Sequence, residues 1–507
     1  MSNNGKKSNK QLILGVVAVL IVGGTLVSRM NTSGQAPINV ESIEQVYEEV
    51  EQTATSVALI QSDQNRAEDI SDEEVRAMVR EAVTLAGGLE DIVSDGDIVV
   101  LKPNLMSAIH ETFTSLEEMM NGMPAEETFL SNKRLAPQLV NGVTTDYRVT
   151  KAVAEMVREL NPSGEILVME GSIRSYTDKI MEHLGYTPEN IPFVDEFIAL
   201  EDRGTDYTVE NGSEDFVAID LGEKALYEDN GSLAHLGGLY FIDKRYYEAD
   251  VVIDMPALKN HMVTGMTGAI KNVGIGMTPQ VIYSPNNDDS LRFNINHEWT
   301  PLHKFIHDFY MVKPVDFVVT DGLQGLQHGP LGHEGESLEA VQMNKRLILA
   351  GKDAVAVDTI HSLVIGVDPL KIDFIKTLAD DGMGIMDLSL INVVGNRSVS
   401  DVKEHFDFPK FWPGAVGGPT SYEDFEAPVV TLAAANLSES DLQIVFGADE
   451  TVEKAEIFHG DKLVHVESIQ THSTNFSIAN EGFDLANMSM VVYDRYLNGV
   501  VVELEGE

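Results

Sequence analysis

Short apolar runs that end in polar turns recur through the middle of this chain, and they limit the folds open to it more than any other feature. The five clearest runs are GDIVVLKPN (96–104), GEILVMEGS (164–172), ADVVIDMPALKNH (249–261), VDFVVTDGLQG (315–325) and KRLILAGKD (345–353). Helical patterns alternate with them at 71–88, 144–164, 300–312 and 354–366. Nearly continuous apolar strands that alternate with helices indicate a sheet buried on both faces. The sequence therefore predicts an α/β fold with a largely parallel sheet and helices on both faces.

The C-terminal part of the chain has a different pattern. After a stretch rich in proline, glycine and aromatic residues, apolar segments recur every 8 to 15 residues with turn residues between them. This spacing is typical of an all-β sandwich of the immunoglobulin-like or fibronectin-like kind. The predicted organisation is a cytoplasmic stub and membrane anchor or signal peptide (1–30), a tether and acidic segment (31–70), the α/β domain (71–407), a linker (408–428) and the β-sandwich module (429–507).

Charge and cysteine content exclude several classes of function. The formal net charge of the 507 residues is −46, and there is no cysteine. So acidic a surface repels nucleic-acid phosphates, and we expect no nucleic-acid partner. Without cysteine the chain itself supplies no disulfide, no zinc–thiolate site and no cysteine-ligated iron–sulphur cluster.

An uncharged apolar run, Leu12–Val27, follows three lysines near the N-terminus. As a helix this run would span about 24 Å, a little less than the roughly 30 Å hydrocarbon core. Positive charge before the run predicts a cytoplasmic N-terminus and an extracytoplasmic bulk. No A-x-A site follows, so we predict an uncleaved single-pass anchor in the cell membrane. The alternative is secretion after cleavage of a signal peptide.

The densest polar segment is 254–277, which contains Lys259, His261 and Lys271 among several glycines. In open α/β sheets, ligands bind outside the carboxyl ends of the strands. We therefore expect the polar ends of the five apolar runs to face one site. Lysines in such a place neutralise a phosphate or a carboxylate, so the predicted ligand is an anionic small molecule.

The candidate residues fall into three groups. The predicted ligand-binding residues are Lys102, Asn104, Thr264, Lys271, Asn272, Asp321, Asp353 and Asp358. His261 and Lys259 are the catalytic candidates, since imidazole titrates near neutrality and a desolvated lysine can act as a base. A divalent metal site is a further hypothesis, with the ligands His297, His303 and His307. The chain has no P-loop, nucleophile elbow, dinucleotide-binding glycine fingerprint or H-E-x-x-H motif, which leaves the reaction and any other cofactor open.

Five segments resemble, in order, the family described as domain of unknown function 362. They are LKPN (101–104), TTD (144–146), DMPALKNHMVTGMTGAIKNVGIG (254–276), VTDGLQGLQHGP (319–330) and LILAGKDAVAVDTI (347–360), within a span of about residues 95–385. The resemblance implies a domain assignment and no particular reaction. Some family members are associated with ferredoxin-type iron–sulphur modules, which this cysteine-free chain cannot form. A long insertion at 106–143 also separates the first segment from the second.

Two functions follow as alternatives. The first is a membrane-anchored extracytoplasmic protein with a ligand or catalytic site at the strand ends. The second is a non-catalytic surface-binding or adhesion protein in which the β-sandwich is the recognition module. A structure that gathers the lysines and His261 in one pocket would favour the first alternative. The sequence leaves open whether the protein is an enzyme, and it does not specify the oligomeric state.

Overall fold

The computed structural model describes residues 40–42, 54–109, 135–173, 176–284, 292–332, 337–409 and 421–504. Its strands are β1 (Val40–Ser42), β2 (Thr55–Gln61), β3 (Ile98–Pro103), β4 (Glu165–Glu170), β5 (Glu196–Ala199), β6 (Phe216–Asp220), β7 (Leu239–Asp243), β8 (Val251–Met255), β9 (Ala257–His261), β10 (Gly265–Met266), β11 (Phe317–Leu326), β12 (Gln342–Met343), β13 (Leu347–Gly351), β14 (Ile391–Gly395), β15 (Val430–Leu437), β16 (Asp441–His459), β17 (Lys462–Ala479), β18 (Met488–Asp494) and β19 (Gly499–Glu503). Its α-helices are α1 (Asp72–Leu85), α2 (Tyr147–Leu160), α3 (Thr177–His183), α4 (Lys244–Tyr247), α5 (Gly268–Gly276), α6 (Gln280–Tyr283), α7 (Trp299–Val312), α8 (Leu338–Val341), α9 (Ala354–Val364), α10 (Asp373–Asp380) and α11 (Val399–Val402).

The central sheet is largely parallel, as predicted. Its main path runs β14-β2-β13-β11-β8-β3-β4-β5. Strands β5, β4, β3, β8 and β11 are mutually parallel. Strand β13 is antiparallel to both of its neighbours, β11 and β2, while β14 is parallel to β2. The carboxyl ends of β3, β4 and β8 therefore meet at one edge of the sheet.

Helices cover both faces of this sheet. On β8, Val252 packs with α5, α7 and α9, whereas its neighbour Ile253 packs with α1, α2 and α3. Val318 and Val319 of β11 divide between the two faces in the same way. Because successive side chains of a strand point to opposite faces, a strand buried on both faces must be apolar throughout. This is why the runs are continuous in the sequence.

Several of the predicted helices have a side chain that caps their N-terminus. The Ser71 hydroxyl accepts a hydrogen bond from the Glu74 N–H at 3.2 Å, and Asp146 caps α2 through the Arg148 N–H at 3.0 Å. Such caps satisfy N–H groups that have no partner within the helix. The bounds of α1, α2, α7 and α9 agree with the sequence prediction to within a few residues.

The segment 31–70 differs from the prediction of a tether. Its residues 55–61 form β2, which lies inside the central sheet between β13 and β14. The partners of β2 are about 290 to 340 residues away in sequence, so its pairing leaves no local signal. The α/β domain therefore begins before residue 71. Most of the predicted insertion 106–143 lies outside the described residues.

The C-terminal region forms a separate antiparallel sheet. Its order is β15-β16-β18-β19, with β17 paired to β16, and β16 and β17 are 19 and 18 residues long. The immunoglobulin-like or fibronectin-like sandwich predicted there needs two facing sheets, whereas the strands described between 421 and 504 form one. The spacing of apolar segments indicates where β structure occurs, but it does not show which neighbouring segments join into one long strand.

The predicted localisation requires a correction. The proposed anchor, Leu12–Val27, lies outside the described residues. Across the described ranges, which begin at residue 40, no helix is both long enough and apolar enough to cross a lipid bilayer. Single-pass anchoring in a membrane is therefore not supported.

Candidate functional site

A buried ion pair joins the ends of two neighbouring parallel strands. Lys102 near the end of β3 places its Nζ 2.8 Å from Oε2 of Glu170, the last residue of β4. The two side chains are 0% and 1% exposed. Lys102 also donates to the Pro103 carbonyl at 2.7 Å and to the Asn272 amide oxygen at 3.3 Å. All three ammonium hydrogens of Lys102 therefore have acceptors.

Asn272 of α5 connects this ion pair to the rest of the cluster. Its Oδ1 accepts a second hydrogen bond, from Asn104 Nδ2 at 2.7 Å, and its Nδ2 donates to Asp254 Oδ1 at 2.7 Å. Gly276 allows α5 to lie this close to Lys102. A Cβ atom at position 276 would stand only 2.9 Å from Lys102 Nζ. Burial raises the pKa of Asp254 well above its usual value, and its Oδ2 has no hydrogen-bond partner in the described part of the chain.

Lys259 of β9 holds the turn that follows β3. Its Nζ donates to Asn104 Oδ1 at 3.0 Å and to the Val143 carbonyl, and it lies 3.5 Å from the Met106 sulphur. Burial and the nearby charge of Lys271 lower the pKa of Lys259 well below its usual value. These contacts occupy the amine of Lys259. The structure therefore gives it the position of a residue that orients the site rather than one that meets a ligand.

Lys271 differs from the other two lysines. It lies on α5 beside Asn272 and is 8% exposed. Among the described residues its amine has no hydrogen bond and no ion pair. Burial, with the positive charge of Lys102 nearby, lowers the pKa of Lys271 to about 8. The side chain is thus a buried cation that reaches the surface and has no anion to neutralise it in the part of the chain that the structure describes.

Arg292 adds a further positive charge near the end of β4. Its guanidinium donates to the Gly171 carbonyl at 3.0 Å and to the Ser172 carbonyl, and burial lowers the pKa of Arg292 to about 10. The negative charge of Glu170 thus acts on Lys259 and Arg292 as well as on Lys102, with which it is paired. Burying a charge is costly unless an opposite charge compensates it. Lys271, whose amine has no ion pair among the described residues, therefore favours an anion at the strand ends.

His261 lies at the end of β9, next to the cluster. The backbone N–H groups of Val263 and Thr264 donate to its Nδ1 at 3.1 and 3.3 Å. Since a backbone N–H can only donate, Nδ1 carries a lone pair and the ring proton lies on Nε2. Nδ1 is therefore engaged by the backbone, and the acid–base role of His261 stays a prediction. Thr264 is buried, and its hydroxyl donates to the Met266 carbonyl at 2.9 Å.

The three predicted ligand-binding aspartates accept hydrogen bonds from backbone N–H groups. Asp321, Asp353 and Asp358 each accept hydrogen bonds from two backbone N–H groups, one on each carboxylate oxygen. Asp353 caps α9, and Asp358 satisfies the first N–H groups of α5. Burial raises the pKa of all three, to about 6 for Asp353 and to about 7 for Asp358; for Asp321 the negative charge of Asp146 adds to the effect.

The three predicted metal-ligating histidines do not converge. Nδ1 of His297 lies 2.8 Å from the Ile295 carbonyl, and Nδ1 of His303 accepts from the Phe374 N–H at 3.2 Å. His307 uses both ring nitrogens to bridge two carboxylates. Burial lowers the pKa of His297 to about 4 and of His303 to about 3, which keeps both rings neutral. Each ring is thus engaged by its own neighbours.

A different group of acidic side chains has the spacing of metal ligands. Within the part of the chain that the structure describes, only Asp424, Glu450 and Asp494 bring three such ligand atoms within 4.8 Å of one another. They belong to the C-terminal region. Clustered surface carboxylates are common without an ion, so this spacing alone does not assign a metal.

The structure therefore selects among the predicted residues. It brings together Lys102, Asn104, Lys259, Lys271 and Asn272 at the ends of β3, β4 and β9, with His261 adjacent. The sequence missed Glu170, Asp254 and Arg292 as members of the cluster. Glu170 and Asp254 had a signal, since each ends or nearly ends an apolar strand. Arg292 had none, because its role depends on a contact with residues 171–172.

The raised pKa of Asp358 makes the stability of the domain depend on pH. In the unfolded chain its carboxyl ionises near its ordinary value of 3.8, but in the folded protein it ionises near 7. Between these values the unfolded state loses its proton first, so the free energy of unfolding falls as pH rises, and the loss is complete above about pH 7. We expect Asp358→Asn to flatten this slope in denaturation curves measured from pH 4 to 8. Asp380→Asn, an exposed aspartate of α10, should keep the slope; equal slopes for wild type and Asp358→Asn would contradict the prediction.

Comparison with known proteins finds a family model that covers part of the site. Residues 133–362 match the model of the family described as domain of unknown function (DUF362), as the sequence motifs predicted. The matched region includes Lys259, His261, Lys271 and Asn272, while Lys102 and Asn104 lie before it. The chain matches none of the curated proteins with which it was compared.

Proposed function

We propose that the strand-end cluster, most of which lies in the region 133–362 that matches the DUF362 model, binds an anionic small molecule. The observation that carries the proposal is Lys271, a 92% buried ammonium group without a counter-ion in the described part of the chain. Lys102 lies nearby, so its positive charge adds to the attraction for an anionic ligand. A carboxylate or phosphate placed there would compensate the excess charge and accept charge-assisted hydrogen bonds.

The supporting geometry also explains how the site is kept in shape before a ligand arrives. Lys102, Glu170 and Asn272 hold β3, β4 and α5 together, and Lys259 fixes the loop after β3 through Asn104. A site whose side chains are already held in place binds with less loss of conformational freedom. His261 lies adjacent to this cluster, at the end of β9. Recognition by the C-terminal sheet, the second alternative, stays a prediction.

The experiment is a binding measurement with simple anions. We expect inorganic phosphate, pyrophosphate or malonate to raise the unfolding temperature of the wild-type protein and to give a measurable Kd by calorimetry. A hydrogen bond to a charged group is worth about 1.5 to 3 kcal/mol, so Lys271→Gln should weaken binding roughly 10-fold to 100-fold. Lys376→Gln, which removes an exposed lysine of α10, should leave the Kd unchanged. Equal affinities of wild type and Lys271→Gln for every anion that binds would refute the proposal.

A further inference from the structure

We propose that Lys271 is a nucleophilic amine that forms a Schiff base with an anionic carbonyl compound, such as a 2-oxo acid. The proposal rests on the proposed function, because the anion site would position the ligand. It goes further by naming a covalent step and the residue that takes it. The substrate class is then a small molecule that carries an aldehyde or ketone together with a carboxylate or phosphate.

The first argument is that, as far as the described residues show, only one of the three lysines has an amine without a hydrogen bond or an ion pair. The ammonium group of Lys102 donates its three hydrogens to a carboxylate, a carbonyl and an amide oxygen. Lys259 is held by an amide oxygen, a carbonyl and a sulphur atom. Lys271 makes none of these contacts among the described residues, and it retains 8% exposure. A nucleophile needs an unengaged lone pair and a path to the substrate, and within the cluster Lys271 meets both conditions.

The second argument is electrostatic. A lysine is activated as a nucleophile when it is desolvated or placed next to another cation, because both disfavour its ammonium form. Lys271 has both influences, and its pKa of about 8 leaves an appreciable fraction of free amine at neutral pH. The positive charge of Lys102, which disfavours the ammonium form of Lys271, would also attract the negative group of the ligand. One arrangement therefore serves both binding and activation.

The chemical step is balanced without a further reactant. The lone pair of Lys271 Nζ forms a bond to the carbonyl carbon, and the C–O double bond opens to a hydroxyl group. The carbinolamine then loses that oxygen as water, together with the two hydrogens given up by the amine, and a C=N bond remains. Neither oxidation nor reduction takes place. The resulting imine, once protonated, withdraws electrons from the adjacent carbon more strongly than the carbonyl did.

The test is reductive trapping with glyoxylate, a small anionic aldehyde. Wild-type protein is incubated with glyoxylate and sodium borohydride, which delivers hydride to the imine carbon and leaves a carboxymethyl group on nitrogen. Peptide mapping by mass spectrometry is expected to show labelling of Lys271 at least 10-fold faster than labelling of Lys376, the exposed control. Inorganic phosphate should protect Lys271 and leave Lys376 unaffected. The rate at Lys271 should reach a plateau above about pH 8, whereas an exposed lysine continues to gain reactivity.

The outcomes separate this proposal from the function on which it rests. If Lys271 is labelled no faster than Lys376 while phosphate still binds to the wild-type protein, the Schiff base is wrong and the anion site stands. If phosphate does not bind and does not protect, both proposals fail. Lys271→Arg keeps the positive charge but cannot form the imine, so it should bind phosphate and lose the fast labelling. Because the wild-type protein is mapped directly, the result does not depend on the folding of any variant.

Discussion

Replacing Lys102 by methionine is expected to lower the free energy of unfolding by about 3 to 5 kcal/mol, the usual cost of removing one partner of a buried ion pair. Glu170 would remain buried at 1% exposure without its cation, and among the described residues its Oε2 would keep only the Leu105 N–H as a donor at 3.1 Å. Methionine preserves most of the volume of the lysine side chain, so the loss reports the charge rather than a cavity. Chemical denaturation at neutral pH measures it.

Two variants make this result specific. Lys376→Met removes an exposed lysine that pairs with Asp380 on the surface of α10, and it should cost less than about 1 kcal/mol. The double variant Lys102→Met/Glu170→Leu removes both buried charges and should regain part of the lost stability, since no isolated charge remains. If Lys102→Met were as mild as Lys376→Met, the ion pair at the strand ends would not hold the sheet edge together.

Asn272→Leu should have an effect of comparable size, about 2 to 4 kcal/mol, because one amide serves three buried groups. Its oxygen accepts from Asn104 and Lys102, and its nitrogen donates to Asp254. Leucine has a similar volume but offers neither donor nor acceptor. Each buried group left without its partner costs about 1 to 3 kcal/mol, partly offset by rearrangement. The free energy of unfolding measured in urea gives the loss.

An exposed asparagine provides the control for this prediction. Asn211 lies on the surface, and its side chain makes no hydrogen bond among the described residues, so Asn211→Leu should change stability by less than about 0.5 kcal/mol. Asn272→Leu should also weaken phosphate binding, because Lys102 and Asn104 would lose their orientation. A variant that kept full stability would show that α5 is attached to the sheet by its apolar contacts alone.

The sequence predicted the positions of helices and strands well, but it gave little information about which strands pair with each other. The helices α1, α2, α7 and α9 and the five strongest strands follow from local patterns of apolar and capping residues. Strand β2 was assigned to a tether, because nothing in TSVALIQ indicates that its partners are β13 and β14. The C-terminal segments were predicted correctly as β structure, but their joining into the long strands β16 and β17 was not foreseen.

For the site, the sequence predicted which lysines and asparagines lie together, but it did not predict what each polar side chain contacts. Lys102, Asn104, Lys259, Lys271 and Asn272 do lie together at strand ends. The aspartates 321, 353 and 358 instead cap helices or bind backbone N–H groups, a role that a polar residue in a turn can equally fill. Histidines 303 and 307 share a helix, but packing against different neighbours separated their ring nitrogens.

The sequence alone determined that this chain folds as a largely parallel α/β sheet, that its polar residues collect at the carboxyl ends of the strands, and that it carries motifs of DUF362. These properties follow from periodicity and strand direction, which are local. Only the tertiary structure decided which lysine is free. Lys102, Lys259 and Lys271 are alike in the sequence, and they differ because residues distant in the chain, such as Glu170 and Val143, engage the first two amines and leave the third without a partner in the described part of the molecule.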